Sequence, residues 1–416
     1  MRSLRFGIPL ALLLVLTACA GNNNGGGGGG GGGSFDPSSI SGTVVLSGWQ
    51  ATGDEATALN ATLDAFKAKY PKIKLDYQPV AQNYPTVMAA KFSAHKPPDL
   101  FYVDSSVAPD WMSQGLLQPL DDLAKSRGFD TGQFYKGYLD AFKGTDGKIY
   151  GFPKDGNALG MAYNQDMLTA AGISSPPTNW DELVAAAKKL TTGDKHAFCL
   201  SSTMDRALAF IYQNGGALLS DDKKSSAIDS DASKEAIKWY LDLFKNGYGV
   251  RPKDLGDDWC GTSLGKGKVA IIFEGGWLDP FMKSTYPTIK YAWAPLPKGK
   301  QDANLGFTVS YSIGKDSANK DAAWVLLTYL TGPEGMKVWT QGGVANPSRK
   351  DVPAPAGKEI LVKGGENAHP WSFIPGFSKI NDGFNNAMTA AIEAKSDDPT
   401  KVVSDTKTAI DQALNS

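Results

Sequence analysis

A serine motif and three histidines are the residues whose types could first suggest catalysis. Gly261–Gly265 matches the G-x-S-x-G pattern of hydrolases, which requires a strand before the serine and a helix after it. A strand follows at Val269 instead, so we interpret the match as a chance loop. His95, His196 and His369 have no metal-type spacing, and no phosphate-binding P-loop motif is found. The sequence therefore predicts no enzyme, no metal site and no cofactor.

Tryptophan and carboxylate residues stand at the ends of predicted strands. Thr43–Leu46 predicts a strand that ends near Trp49, and Asp99–Val103 predicts a strand that ends at Asp104. A helical pattern between them predicts a parallel sheet with helices on both faces. Ligands bind beyond the carboxyl ends of the strands in such sheets. Trp49 and Asp104 are therefore candidate ligand contacts.

A second region repeats this pattern. Leu159–Asn164 and Val269–Phe273 predict strands, and Ser233–Asn246 predicts a helix between them. About 375 residues follow the N-terminal segment, which is more than one hydrophobic core usually supports, so two lobes are expected. The mature chain has 40 basic and 43 acidic residues, a net charge of −3, once Arg2 and Arg5 are removed. That near-neutrality argues against a nucleic-acid partner.

The first residues are typical of an export signal. Arg2 and Arg5 precede an apolar run at 6–16, which is shorter than the roughly 20 residues that span a bilayer. Leu16-Thr17-Ala18-Cys19 resembles the lipobox of bacterial lipoproteins, in which the cysteine is diacylated and the peptide is cut before it. The resemblance implies a signal peptide at 1–18 and a lipid on Cys19. Residues 19–38, rich in glycine, are expected to form a flexible tether.

Two cysteines remain after Cys19. Cys199 and Cys260 are an even number in an exported chain, which predicts a disulfide between them. Two buried free thiols are the alternative, because sequence does not show proximity.

Several stretches of the chain together carry a resemblance to a known family. In chain order they are Pro98–Asp104, Asp146–Pro153 with Met161–Asn164, Lys266–Ala270 with Glu274–Trp277, Ser312–Ile313 with Lys320–Trp324, and Leu330–Gly335. They resemble the extracellular solute-binding proteins of ABC importers, in the carbohydrate-binding branch, and the resemblance covers nearly all of 43–416. It implies an α/β fold of two lobes, each a mostly parallel sheet flanked by helices, which close on a ligand about hinge crossings.

The resemblance also implies a domain organisation and partners. Crossings are expected near Asp155, Gly306 and Gly332. The N-terminal lobe then comprises 39–155 and 307–332, and the C-terminal lobe comprises 156–306 and 333–416. A monomer is expected that is held to the cell membrane by its lipid, faces the periplasm or the cell exterior, and hands its ligand to the membrane subunits of an ABC importer.

A sugar offers C–H faces to aromatic rings and hydroxyl pairs to carboxylates, amides and guanidinium groups. The candidates for such contacts follow from the family element, from first-lobe strand ends and from second-lobe positions. They are Trp277 and Glu274; Trp49, Tyr84, Asp104 and Asp155; and Trp259, Asp258, Arg349 and Trp371. Arg349 is included for its position alone and is otherwise expected to be a solvated charge. Trp239 and Trp324 lie at core spacing within helices and are interpreted as packing residues.

The sequence leaves the ligand open. Malto-oligosaccharides are favoured because aromatic platforms suit extended glucosides. The same scaffold with glycerol 3-phosphate or a polyamine is one alternative. An anchored glycosidase is the other, and it would need two carboxylates about 5–10 Å apart.

Overall fold

The computed structural model describes residues 35–371 and 374–415. The predicted signal peptide, Cys19 and most of the predicted tether lie outside the described residues. None of the helices in the described part is long and apolar enough to cross a membrane.

Strands and helices alternate from Gly42 to Asp104, and three short helices then precede the strand that leads into the first crossing. The elements of this first segment are β1 (Gly42–Trp49), α1 (Gly53–Lys69), β2 (Ile73–Val80), α2 (Tyr84–Ser93), β3 (Leu100–Asp104), α3 (Ala108–Ser113), α4 (Asp121–Ser126), α5 (Lys136–Asp140) and β4 (Phe152–Ala158). Helix α1 illustrates why they form, since Asp54 and Glu55 stand in its first turn and Lys67 and Lys69 in its last, each stabilised by the helix dipole.

The second segment builds the other lobe. Its elements are β5 (Gly160–Asn164), α6 (Gln165–Ala170), α7 (Trp180–Leu190), β6 (His196–Cys199), α8 (Met204–Gln213), α9 (Asp231–Lys245), β7 (Gly249–Val250), α10 (Cys260–Gly265), β8 (Val269–Glu274), α11 (Leu278–Thr285) and β9 (Tyr291–Ala294). Asn179 caps α7 by accepting from the Glu182 amide at 2.9 Å. A disulfide joins Cys199 at the end of β6 to Cys260 at the start of α10.

The third segment returns to the first lobe and then to the second. Its elements are β10 (Asn304–Ile313), α12 (Lys320–Thr331), α13 (Pro333–Thr340), α14 (Glu359–Lys363), β11 (Ala368–Pro370), α15 (Phe377–Glu393) and α16 (Thr400–Leu414). Short 3₁₀ turns occupy Pro37–Ser39, Thr131–Gln133, Pro252–Leu255 and Gly364–Asn367.

Each lobe contains one mixed sheet. The first has the order β11-β10-β3-β1-β2 with β4 also paired to β10, and the second has the order β7-β6-β8-β5-β9. The neighbours of β1 are parallel to it, and so are the neighbours of β6. Antiparallel pairs involve β4, β5 and β10, the strands on either side of the crossings. Each sheet thus combines parallel pairs with antiparallel pairs next to the crossings, and β10 is antiparallel to β3 and β4 but parallel to β11.

Two crossings lie close together at the hinge. Strand β4 passes into β5 through Leu159, a few residues beyond the predicted crossing at Asp155, and β10 begins at Asn304. The Asn304 side chain accepts from the Leu159 amide at 3.0 Å and donates to the Leu159 carbonyl at 2.8 Å. One buried amide thus ties both crossings together.

The third predicted crossing is followed by a helix that packs with the first lobe. Helix α13 packs against α1 and α12 of the first lobe, and Lys69 of α1 forms an ion pair with Glu334 of α13. Helix α13, which follows the boundary predicted at Gly332, thus packs with the first lobe and buries Met336 and Trp339. The chain keeps contact with that lobe beyond α13, since Arg349 bridges to Phe134 and β11 pairs with β10. Helices α15 and α16 then pack on α9 of the second lobe.

Candidate functional site: a cleft between the two lobes

The carboxyl ends of the first-lobe strands meet at one edge of the sheet. Val309 of β10 has Asp104 of β3 as its register partner on one side and Asp155 of β4 on the other. Trp49 ends β1 at the same edge. The sheet thus brings three sequence-predicted residues together at the mouth of the first lobe.

Trp49 is half-buried and rests on two tyrosines. Its ring meets the rings of Tyr84 and Tyr102 edge-on, with centroids 5.8 and 5.0 Å away. The Tyr84 hydroxyl donates to the Tyr102 carbonyl at 2.9 Å, and burial raises the pKa of Tyr84 far above its ordinary value. Tyr84 is 8% exposed, so it packs against the Trp49 ring and has little surface left for contact with a ligand.

Lys154, Asp155 and Trp339 form a compact group in the first lobe. The Lys154 ammonium lies 2.7 Å from Asp155 Oδ2 and 3.8 Å from the centre of the Trp339 ring. The Trp339 indole N–H donates to the same carboxylate oxygen at 3.3 Å. Lys154 is 3% exposed, so its charge is neutralised inside the protein, and Asp155 keeps its second oxygen for other donors.

Glu55 and Asp104 add carboxylates to this wall. Burial raises the pKa of Glu55, and nearby Asp155 adds to the rise while Lys154 opposes it. Asp104 accepts from the Ser106 amide at 2.9 Å and from its hydroxyl at 2.5 Å, which fixes the carboxylate at the strand end. Sequence reasoning missed Glu55, although its place in the first turn of a helix that follows β1 was a usable signal.

The second lobe contributes a matching group at the end of β8. Glu274 Oε2 accepts from Arg206 Nη2 at 2.6 Å and from the Trp277 indole N–H at 2.9 Å. The guanidinium carbon of Arg206 lies 5.4 Å from the centre of the Trp277 ring, and Arg206 Nη1 pairs with Asp205 at 2.8 Å. Burial acts to lower the pKa of Arg206, but Glu274 and Asp205 outweigh it and the net pKa is raised.

Aromatic rings connect the two lobes. Phe307 of β10 meets Trp277 at a centroid distance of 5.5 Å and an interplanar angle of 89°. Phe307 also lies 6.3 Å from Trp371, which in turn contacts Phe377 at 5.3 Å. Trp277 and Trp371 are half-buried, and both predicted tryptophans contact Phe307, beside the larger core cluster of the second lobe.

Amide side chains lie beside the glycines that follow β8. Asn346 Nδ2 donates to Asn157 Oδ1 at 2.9 Å. A Cβ at Gly276 would lie 3.0 Å from Asn157 Oδ1 and 3.3 Å from Asn346 Nδ2, so glycine permits this close approach. Sequence reasoning did not single out either asparagine.

Three predicted residues lie apart from this group. Trp259 packs on Phe281 at 4.8 Å, within the cluster around the disulfide on the opposite face of the second sheet from the larger cluster that Trp277 joins. Asp258 accepts from the Thr262 hydroxyl. Arg349 is 4% exposed and forms two hydrogen bonds to Asp351 of 2.8 and 2.7 Å. The expectation that Arg349 is a solvated charge is therefore wrong, because Asp351 and two phenylalanine rings enclose it.

The cations described at this site, Lys154 and Arg206, pair with carboxylates, and the half-buried rings of Trp49 and Trp277 lie at strand ends, with the Trp277 indole N–H bonded to Glu274. Such a surface suits a ligand with apolar faces and a rim of hydroxyl groups. Among residues 35–371 and 374–415 no cluster of three histidine, cysteine or acidic side chains could hold a metal ion.

Residues 50–337 match the family of bacterial extracellular solute-binding proteins. The chain belongs to this family, as the sequence resemblance predicted. A putative binding protein of Brucella abortus (strain 2308) is 28% identical over 84% of this chain and 88% of its own length. The sn-glycerol-3-phosphate-binding periplasmic protein of Agrobacterium fabrum is 28% identical over 32% of this chain and 34% of its own.

Solved structures confirm the two-lobe fold. The cyclic α-maltosyl-1,6-maltose binding protein from Arthrobacter globiformis superposes with a TM-score of 0.78 at 20% identity, over 90% of this chain and 99% of that chain. The sugar-binding protein MalE from Xanthomonas citri gives 0.77 at 21% identity, over 90% and 97%. These likenesses show the fold, and the family match identifies the chain as an extracellular solute-binding protein.

Proposed function

We propose that the protein is a receptor that binds a neutral sugar, with malto-oligosaccharides favoured, between its lobes and delivers it to an ABC importer. The observation that carries the proposal is the Glu274–Trp277 group, since it sets a half-buried indole ring beside a carboxylate at the end of β8. An aromatic platform with adjacent acceptors fits both parts of a sugar ring.

Charge argues against an anionic ligand. A phosphate ester would need positive donors that are free to pair with it. Lys154 and Arg206, the cations described in the cleft, already pair with Asp155, Asp205 and Glu274. The carboxylates outnumber these cations, so a polyamine remains a second candidate that the same test addresses.

A thermal-shift panel tests the proposal. We expect a maltodextrin or related sugar to raise the melting temperature, because a ligand at 100 times its Kd adds about 2.7 kcal/mol to the stability of the folded state. Glycerol 3-phosphate and spermidine should leave the melting temperature unchanged. Stabilisation by either compound and by no sugar would replace the sugar proposal, and turnover of an oligosaccharide would favour the glycosidase.

We also propose that the receptor is a monomeric lipoprotein anchored through Cys19. Wild-type protein made in a bacterial host should enter the detergent phase on Triton X-114 partition, whereas Cys19→Ser should stay in the aqueous phase. Both forms should bind the sugar equally, because Cys19 precedes the folded lobes. Wild-type protein in the aqueous phase would contradict the anchor.

A further inference from the structure

Arg206 is placed to control the ring that the ligand would meet. It lies in the first turn of α8, just beyond the end of β6, and its side chain is 15% exposed. The guanidinium bridges two carboxylates, with Nη1 on Asp205 and Nη2 on Glu274. Its carbon also lies 5.4 Å from the Trp277 ring centre and 5.8 Å from the Phe307 ring centre, within the range of cation–π attraction.

Trp277 is held from several sides. Its N–H donates to Glu274, and Glu274 is itself held by Arg206. A Cβ at Gly275 would lie 2.3 Å from the six-membered part of the indole, so the ring packs directly on the glycine backbone. Together these contacts fix the orientation of the ring, so a ligand can stack only on the part of the ring that they leave uncovered.

The first lobe contains a second group made of a cation, a carboxylate and an indole ring, but a different member of it is left exposed. Lys154, Asp155 and Trp339 also combine a cation over an indole with a carboxylate that binds both. There the ring is 4% exposed, and the carboxylate is the group left at the cleft. In the second lobe Glu274 is 5% exposed and the ring is the more open group. The comparison indicates that in the second lobe the cation, Arg206, orients the ring of Trp277.

We propose that Arg206 is a positioning residue for ligand stacking, which holds Glu274 and Trp277 so that the sugar packs on the face of the indole away from the guanidinium. This inference rests on the proposed function and assigns a role within the same site. A planar guanidinium can bridge two carboxylates and lie along a ring, whereas a lysine ammonium is a point charge.

Arg206→Lys and Arg206→Met test the proposal, with Arg251→Met as the matched control. Arg251 is also a buried arginine of the second lobe, paired with Asp254 and Glu393. Calorimetry with the best sugar of the panel should show Kd raised at least about 10-fold in Arg206→Met and by less in Arg206→Lys. Arg251→Met should lose stability and keep the wild-type Kd. Arg206→Lys keeps the charge, so it remains testable if the methionine variant does not fold.

A second readout does not need a ligand. The contribution of Trp277 to the near-ultraviolet circular dichroism, obtained by subtracting the spectrum of Trp277→Phe, should change in Arg206→Lys and stay constant in Arg251→Met. If the wild type binds no sugar, the proposed function fails while this spectrum still reports on the ring. An unchanged Trp277 signal in a folded Arg206 variant, or a wild-type Kd in that variant, would overturn the positioning role.

Discussion

Trp277→Ala is expected to weaken sugar binding by about 1–3 kcal/mol, about 5- to 150-fold in Kd, the range of a central binding residue. The half-buried Trp277 ring lies just beyond the end of β8, and it also contacts Phe307 of β10. Its removal would leave Glu274 without one of its donors and the ligand without a stacking surface. Isothermal calorimetry on the folded variant measures the effect.

Trp239→Ala is the control for the loss of a tryptophan. Trp239 belongs to the same lobe and is half-buried, stacked on Trp180 at 3.9 Å on the helical layer. We expect this variant to lose stability and to retain the wild-type Kd. Equal affinities of the wild type and Trp277→Ala, with both folded, would remove Trp277 from the site.

Local sequence decides the position of the residues at the strand ends. Trp49, Asp104 and Glu274 each follow an apolar run of strand length, and parallel strands bring such ends to one edge. The strand register then brings Asp104 and Asp155 close together, since both are register partners of Val309. These placements needed only the alternation of strands and helices along the chain.

The partners of those residues could not be predicted in the same way. Arg206 and Glu274 are 68 positions apart, and Asp155 and Trp339 are 184 apart, so the pairs depend on how the whole lobe closes. The position of Arg206 was nevertheless a usable indication of a site residue, because Arg206 follows the end of β6 as Trp277 follows the end of β8. Lys154 had none, since a lysine within a strand usually points to solvent.

Arg349 shows the limit of position as a guide. Charge alone suggested solvent, but Asp351 lies two residues away and Phe134 pairs with Arg349 through an isolated bridge. The guanidinium lies 5.1 Å from the Phe134 ring centre, which replaces water with a carboxylate and an aromatic face. The compensation involves a segment more than 200 residues upstream, which no local pattern indicates.

Loss of the Cys199–Cys260 disulfide is expected to lower the free energy of unfolding by about 4 kcal/mol, from the chain entropy of a closed loop of this length. The two cysteines are 61 positions apart, so the bond restricts much of the unfolded second lobe. It ties the end of β6 to the start of α10 and lies in a cluster with Leu264 and Ile272. Urea unfolding of the double variant Cys199→Ser, Cys260→Ser measures the loss.

Reduction supplies the matched comparison. Wild-type protein in dithiothreitol should unfold at a lower urea concentration, whereas the double serine variant should not respond to the reductant. Sugar affinity at low temperature should change little, because the bond lies with Trp259 in the cluster on the face opposite the one that Trp277 joins. Loss of the disulfide should therefore lower stability and leave sugar affinity nearly unchanged, whereas loss of Trp277 should lower the affinity. Urea unfolding and calorimetry together distinguish the residues that stabilise the lobe from those that bind the ligand. If dithiothreitol leaves the urea midpoint of the wild type unchanged, the bond does not stabilise the exported protein.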